Sequence, residues 1–387
     1  MRHRFHILGV PHAITTREYS TCAFTQKIVK LCGMLRSHGH HVIHYGHQDS
    51  VVDCDEHVTV TTRDDMERSY PGHDWKVLGH PAFDTGNEIY RTFYANAIAA
   101  IRKRQQPRDF LLCMWGSGHK PVADGLSDLI VCEPGIGYPG GSFAPFRVFE
   151  SYAILHATLG LERVGSMHNG MWYDAVIPNY FDLRDFTFEA EKDDYLLFLG
   201  RVGAGKGTHI ALQIAEATGK RLFIAGPGEV VDGQTRTSRP WREYAEHVGV
   251  VGPEQRAALL SKAKATICAS MYVEPFCGVQ IESMLSGTPV ISTDWGAFTE
   301  YNLHGVTGYR CRTFEQFVWA ARNVGNINPE ACRLWAAANF SCARVAEMYE
   351  EYFWSVMKIY DGSGGFYAPK LERKELDWLR KWTPPNG

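Results

Sequence analysis

Short apolar runs that close on glycine or proline alternate along this chain with longer stretches in which apolar side chains return every three or four positions. His6 to Val10 is such a run, ending at the turn residue Pro11, and reads as a strand. From Tyr19 to Ser37 the residues Phe24, Ile28, Leu31 and Leu35 fall on one helical face, and Gly39 stops the pattern. His41 to Tyr45 reads as a second strand. Strand, helix, strand is the unit of a parallel sheet, because parallel neighbours need a long crossover. Further strands are predicted at Phe110 to Trp115 and Leu129 to Glu133.

The texture changes near residue 180. DAVIPNYFD ends a strand-like segment in a Pro-Asn turn, and the acidic FEAEKDD reads as a linker. A second series then begins with a strand at Tyr195 to Leu199. A glycine-rich loop, a helix at Ile210 to Ala217, a strand at Arg221 to Ala225 and the turn GPGE follow. Strands are also predicted at Ala265 to Ala269 and Pro289 to Ser292. The pattern predicts two doubly wound α/β domains, with ligand bound in a cleft between them at the carboxyl ends of the strands.

Length and composition narrow the chemistry. A chain of 387 residues exceeds what one core usually organises, and 45% hydrophobic against 21% charged residues is the balance of a folded enzyme. The net charge of -3 gives no global attraction to nucleic acid or anionic membrane. No stretch approaches the roughly 20 apolar residues needed to cross a bilayer. The basic start lacks the apolar run of a signal peptide. Ten cysteines without a C-x-x-C pair give no zinc or redox spacing, so free thiols in the cytoplasm are expected. The histidines His38, His40, His41, His44 and His47 fit a helix end entering a strand, and no metal site is expected.

Two segments carry chemistry. GRVGAGKG, residues 200 to 207, satisfies the G-x-x-x-x-G-K part of a P-loop through Gly200, Gly205 and Lys206. A P-loop then needs Ser or Thr to ligate magnesium, and here Gly207 intervenes before Thr208. In VEPFCGVQIESMLSGTPVI, Pro275 pushes Glu274 toward extended geometry, so a helix should begin near Phe276 or Cys277 and end at Gly287. Its first N-H groups and positive dipole end make a phosphate site beside Glu274. Glu282, mid-helix among apolar residues, needs a partner, for which ribose hydroxyls are a candidate.

EPFCGVQIESMLSGTPVI resembles the E-P-F-G-x-x-x-x-E signature of family 4 glycosyltransferases of the GT-B fold, with seven residues between Glu274 and Glu282. FLGRVGAGKG and VIPNYFD are similar to that family's lysine-loop and hinge elements. The resemblance implies a retaining, metal-independent transfer of a hexose-type sugar from a nucleotide diphosphate sugar, most commonly a UDP-sugar, to an acceptor hydroxyl. It implies that Arg201 and Lys206 hold the diphosphate, Glu282 the ribose and Glu274 the sugar. Gly200, Gly226, Phe276, Gly278 and Val279 would line the donor. No cofactor beyond the donor is implied. The expected division is 1–182 for the acceptor-side domain, 183–345 for the donor domain and 346–387 for C-terminal helices, among them the amphipathic tail 371–382, crossing back to the first domain. Cys277 stands where the family usually has glycine, Ser283 where it has alanine, and Tyr180 where glycine follows Pro-Asn.

The first domain is less readable. WGSGHKP follows a strand and could bring His119 to the cleft as a catalytic group alongside Glu274, Lys206 and Arg201. The glycine- and aromatic-rich segment 132–153 supplies the acceptor-side candidates Glu133, Tyr138, Arg147 and Glu150. It resembles glycosyltransferases of bacteriophage type, which implies a hydroxymethylated base in DNA as an alternative acceptor. RKRQQPR, residues 102 to 108, is either a solvated helix end or a contact to a phosphate backbone. A P-loop NTPase or nucleotide-binding module is the remaining reading from another class.

Overall fold

The structure is a computed structural model that describes residues 2–19, 22–79, 81–126, 128–138, 140–162, 170–171, 173–360 and 382–383. The expected tail helix at 371–382 lies outside these residues except for Trp382. The described chain divides into two compact units. One holds the described residues up to Glu150, of Leu155–Tyr180 and of Cys342–Tyr360; the other holds Ser151–Ile154, Phe181–Ser341 and Trp382–Thr383.

In the first unit the strands are β1 (Arg4–Leu8), β2 (His41–His47), β3 (Glu56–Thr61), β4 (Phe110–Leu112), β5 (Ile130–Ile136), β6 (Phe146–Phe149) and β7 (Ala175–Val176). They form one parallel sheet in the order β3-β2-β1-β4-β5-β6-β7. Helices α1 (Ala23–Ser37), α2 (Arg63–Ser69), α3 (Trp75–Leu78), α4 (Glu88–Arg102), α5 (Lys120–Asp124) and α6 (Tyr152–Glu162) connect them. α1 starts later than its apolar pattern suggests, after an extended Cys22. β1 ends at Leu8 because the chain turns at once, with Ala13 N donating to the carbonyl of Val10.

The second unit begins its sheet with β8 (Tyr195–Leu199), β9 (Arg221–Ala225), β10 (Ala245–Gly249), β11 (Ala265–Cys268), β12 (Val290–Thr293) and β13 (Gly308–Cys311). Its order is β10-β9-β8-β11-β12-β13, again all parallel. Helices α7 (Thr208–Thr218), α8 (Pro253–Lys262), α9 (Gly278–Leu285), α10 (Phe298–Tyr301), α11 (Phe314–Asn323) and α12 (Pro329–Phe340) pack around it. Sheets covered on both faces read as continuous apolar runs, as YLLFL in β8 does. In each unit the order reverses beside the first strand, between β1 and β4 and between β8 and β11. Connections leave that point toward opposite faces, so a crevice opens at the carboxyl ends of the two strands.

Helix α13 (Cys342–Tyr360) belongs to the first unit, although its sequence follows the second. Its fully buried Phe353 lies 4.8 Å from the ring of Phe5 on β1 and 5.1 Å from Phe110 on β4. Val345, Tyr349 and Val356 extend the same apolar face into that core. Phe353→Ala is expected to lower stability by about 3–5 kcal/mol, since an aromatic is removed from a core that cannot fully collapse. Urea denaturation of the purified chain checks this.

Candidate functional site

The crevice of the second unit is built from two loops. The first follows β8 and contains the glycine-rich segment. Gly200 has φ +148° and its carbonyl faces Gly226, where a Cβ would lie 2.0 Å from that oxygen. After a 3-10 turn at Ala204–Lys206, Gly207 takes the left-handed conformation at φ +75° and starts α7. A Cβ on Gly207 would sit 2.1 Å from the carbonyl oxygen of Ala269 at the end of β11. The position that a P-loop gives to a magnesium-binding hydroxyl therefore has no room for any side chain. The Thr208 hydroxyl is taken up inside the loop, accepting from Gly203 N at 3.0 Å.

The second loop follows β11 and runs from Ala269 to Cys277. Met271 N donates to the carbonyl of Gly205 at 2.8 Å, joining the two loops. Glu274 is buried at 2% exposure and accepts from Lys206 Nζ at 2.6 Å and from the Ser270 hydroxyl. The Lys206 ammonium, a third exposed, lies 5.1 Å from the centre of the Tyr272 ring. Burial works against its charge, but the acidic groups of Cys277, Glu274 and Tyr272 around it outweigh that and raise its pKa. The ammonium is thus favoured over the neutral amine, and Cys277, the residue that caps α9, is among the groups acting on it. Gly296 and Ala297 press on Glu274 from behind: Ala297 N donates to the Glu274 carbonyl at 3.0 Å, and a Cβ on Gly296 would come within 2.7 Å of Glu274 N.

Helix α9 begins at Gly278, with Cys277 as its cap at φ +61°. A non-glycine residue there bears strain of about 1–2 kcal/mol, and it occupies the position where the sequence motif has glycine. Glu282 points from α9 to the Arg256 guanidinium on α8, whose Nε donates at 2.7 Å. A Cβ on Gly278 would be in ordinary van der Waals contact, 3.6 Å from Glu282 Oε1 and 3.8 Å from the ring of Phe181. Arg201 is exposed and makes no ion pair or hydrogen bond among the described residues.

The other expected site residues pack within their own units. Phe276 lies in the core, 1% exposed, with its ring near those of Tyr301 and Phe181. Val279 is half-buried against the apolar clusters of the second unit. His119 does not project to a ligand: it is fully buried, stacked on Phe93, with Nδ1 accepting from Met114 N and Nε2 donating to the Gly9 carbonyl at 2.9 Å. Burial drives its pKa down to about 3, leaving a neutral imidazole that joins the ends of β1 and β4.

The acceptor-side candidates have structural partners as well. Glu133 is buried and accepts from Tyr138 Oη at 2.8 Å, Phe143 N at 2.7 Å and Ala144 N at 2.8 Å. Burial raises its pKa against those three donors. It thereby ties down the glycine-rich loop that follows β5. Arg147 is held by Asp174 and Glu162. Glu150 pairs with the buried Lys27 of α1, which also donates to the Gly135 carbonyl at 2.8 Å. The basic run is engaged internally too, with Arg102 on the Gly125 carbonyl and Arg104 on Glu56.

Arg256, Ser270, Tyr272 and Gly296 complete these loops without a sequence motif to mark them. Tyr272 and Ser270 stand within four positions of Glu274 and were within reach of a local reading. Arg256 and Gly296 meet the site only through the fold. Among the described residues no group of His, Cys, Asp and Glu is arranged to hold a metal. None of the described helices is long and apolar enough to cross a membrane.

Comparison with known proteins agrees with this layout. Residues 180–334 match the family model described as Glycosyl transferases group 1. Over 160 residues the chain is 32% identical to glycogen synthase of Mycobacterium tuberculosis (strain CDC 1551 / Oshkosh), a match covering 39% of this chain and 37% of that protein. The chain thus spans little more than a third of that relative's length. Sucrose-phosphate synthase from Thermosynechococcus elongatus superposes with a TM-score of 0.68 at 17% identity, covering 92% of this chain and all of that one, 100%. Anabaena HepE in complex with UDP-glucose gives 0.66 at 13% identity, covering 91% and 99%. The fold is therefore α/β of the GT-B type, with two Rossmann-like domains, and residues 180–334 are similar to the group 1 glycosyl transferase model.

Gly207→Ser completes the P-loop consensus in letters. It is expected to lower stability by about 2 kcal/mol or more, from the left-handed φ and the clash with Ala269, and to confer no ATP hydrolysis. Urea denaturation and a phosphate-release assay test the two halves.

Proposed function

We propose that this protein is a retaining glycosyltransferase that moves a hexose-type sugar from a UDP-sugar to an acceptor hydroxyl without a metal ion. The observation that carries the reading is the Lys206 ammonium, held 2.6 Å from Glu274 beside the first turn of α9. Glycosyl transfer breaks the bond between the anomeric carbon and the diphosphate, so negative charge grows on the leaving group. A fixed cation and the N-H groups at a helix start are complementary to that charge and need no reorganisation. The UDP-glucose bound by the structural neighbour HepE, and the group 1 domain match over the donor-side residues, support the choice of donor.

In this reading Glu274 acts as the ammonium's counter-ion until the donor enters. The diphosphate then shares Lys206, and the carboxylate is released toward the sugar hydroxyls. Exposed Arg201, on the same loop, supplies a second cation. Glu282, held in place by Arg256, accepts from the ribose hydroxyls. The acceptor oxygen forms the new bond on the face the diphosphate leaves, and its proton passes to a departing phosphate oxygen. Configuration at the anomeric carbon is kept.

Lys206→Ala is expected to lower turnover about 100-fold or more while weakening UDP binding by less than about tenfold, because the stabilised charge is larger in the transition state than in the ground state. Steady-state kinetics with UDP-glucose, alongside UDP thermal shifts, separate these terms. Loss confined to binding would remove Lys206 from the chemistry. A panel of UDP, GDP and ADP sorts the donor base, since the ligand that binds the folded state most tightly raises the melting temperature most.

A further inference from the structure

The first unit contains a pocket at the carboxyl ends of β2 and β3, bounded by the turn after β2, by α2 and by α3. Its volume is about 150 Å³. That is smaller than the roughly 300–1,000 Å³ of drug-sized sites and limits the guest to about one ring. Its wall is of two kinds. Trp75, stacked face to face on buried Tyr19 at 4.6 Å, and Tyr70 give it an aromatic side. His47, Asp49, Arg63 and Glu67 give it a polar side.

The polar side is set in advance. Arg63 grips Asp49 through both nitrogens of its fork, at 2.6 and 2.7 Å, and its own backbone N-H donates to Gln48. Asp49 N donates to His47 Nδ1 at 3.1 Å, and Glu67 accepts from Gly72 N at 3.0 Å. The Tyr70 hydroxyl is buried without a hydrogen-bond partner among the described residues, a condition that calls for an explanation in a folded protein. Burial keeps His47 on the neutral side of its ordinary range. Two carboxylates against one guanidinium leave the wall with a negative balance, which disfavours a phosphate or other anion. The density of polar groups disfavours a wholly apolar guest, which would strip them of water without replacing it.

Planar carboxylates and a guanidinium beside an aromatic face match one ligand chemistry. Vicinal hydroxyls can donate to the carboxylates and accept from the guanidinium, while the C-H face of a sugar ring lies on an aromatic ring. We propose that this pocket binds a neutral saccharide and thereby sets the chemical class of the acceptor. The second half of that statement rests on the glycosyl-transfer reading; the binding does not.

The test is saturation-transfer NMR on the full chain with methyl α-D-glucopyranoside, methyl α-D-mannopyranoside and maltose, and with glucose 1-phosphate as the anionic comparison. At least one neutral glycoside is expected to receive saturation on its ring protons, and glucose 1-phosphate none. Arg63→Ala and Glu67→Ala, both changes of exposed side chains, should each weaken that binding by about tenfold, the loss of a hydrogen bond to a charged group, without moving the melting temperature. No transfer to any neutral glycoside, preference for the phosphate, or unchanged binding in both variants would overturn the inference. UDP thermal shifts on the same samples keep the two readings apart. A UDP shift without glycoside binding sinks the pocket alone, whereas glycoside binding without a UDP shift sinks the donor site alone.

Discussion

A buried carboxylate facing a partly exposed ammonium organises the second unit's crevice. Glu274 and Lys206 come from loops that follow different strands, β11 and β8, and their ion pair fixes how those loops meet. Taking a carboxylate out of water is costly unless it is paired and hydrogen-bonded, and Glu274 receives both a cation and the Ser270 hydroxyl. The surrounding glycines follow from this closeness. At Gly207, Gly226 and Gly296 a side chain would collide with main-chain atoms of the neighbouring loop. The pair and the close backbone contact are two aspects of one constraint.

The two units share a sheet topology yet use the switch point differently. In the second, main chains approach closely and a charged pair with some solvent access remains. In the first, the neutral ring of His119 links Gly9 to the end of β4 and closes the floor. Polar chemistry there is pushed outward, to the Glu133-tethered loop after β5 and to the recess beyond β2. A single doubly wound plan thus carries a charged pair at one switch point and a neutral, hydrogen-bonded ring at the other.

The second unit was largely legible because its signals are local. β8 and β9 run over the residues that apolar clustering marks, since each is a short buried run bounded by turn residues. Pro275 and Gly287 bracket α9 for steric reasons that act within a few residues. In the first unit the partners of His119, Glu133 and Arg147 are not displayed by the sequence. A polar residue after a strand looks alike whether it faces a ligand or its own backbone, and only the partners, Gly9 at 110 positions' remove among them, decide. Phe276 is a related case: the turn into the helix carries its ring inward among Tyr301 and Phe340.

Gly207 has a wider bearing. One substitution would give this loop every letter of a well-known nucleotide-triphosphate signature, so a search that scores letters would return a false positive. The barrier between the two loop types lies in three dimensions, in the carbonyl of a residue more than sixty positions downstream. Lineages carrying this architecture are separated from that chemistry by crowding, even where the genetic code puts it one base change away.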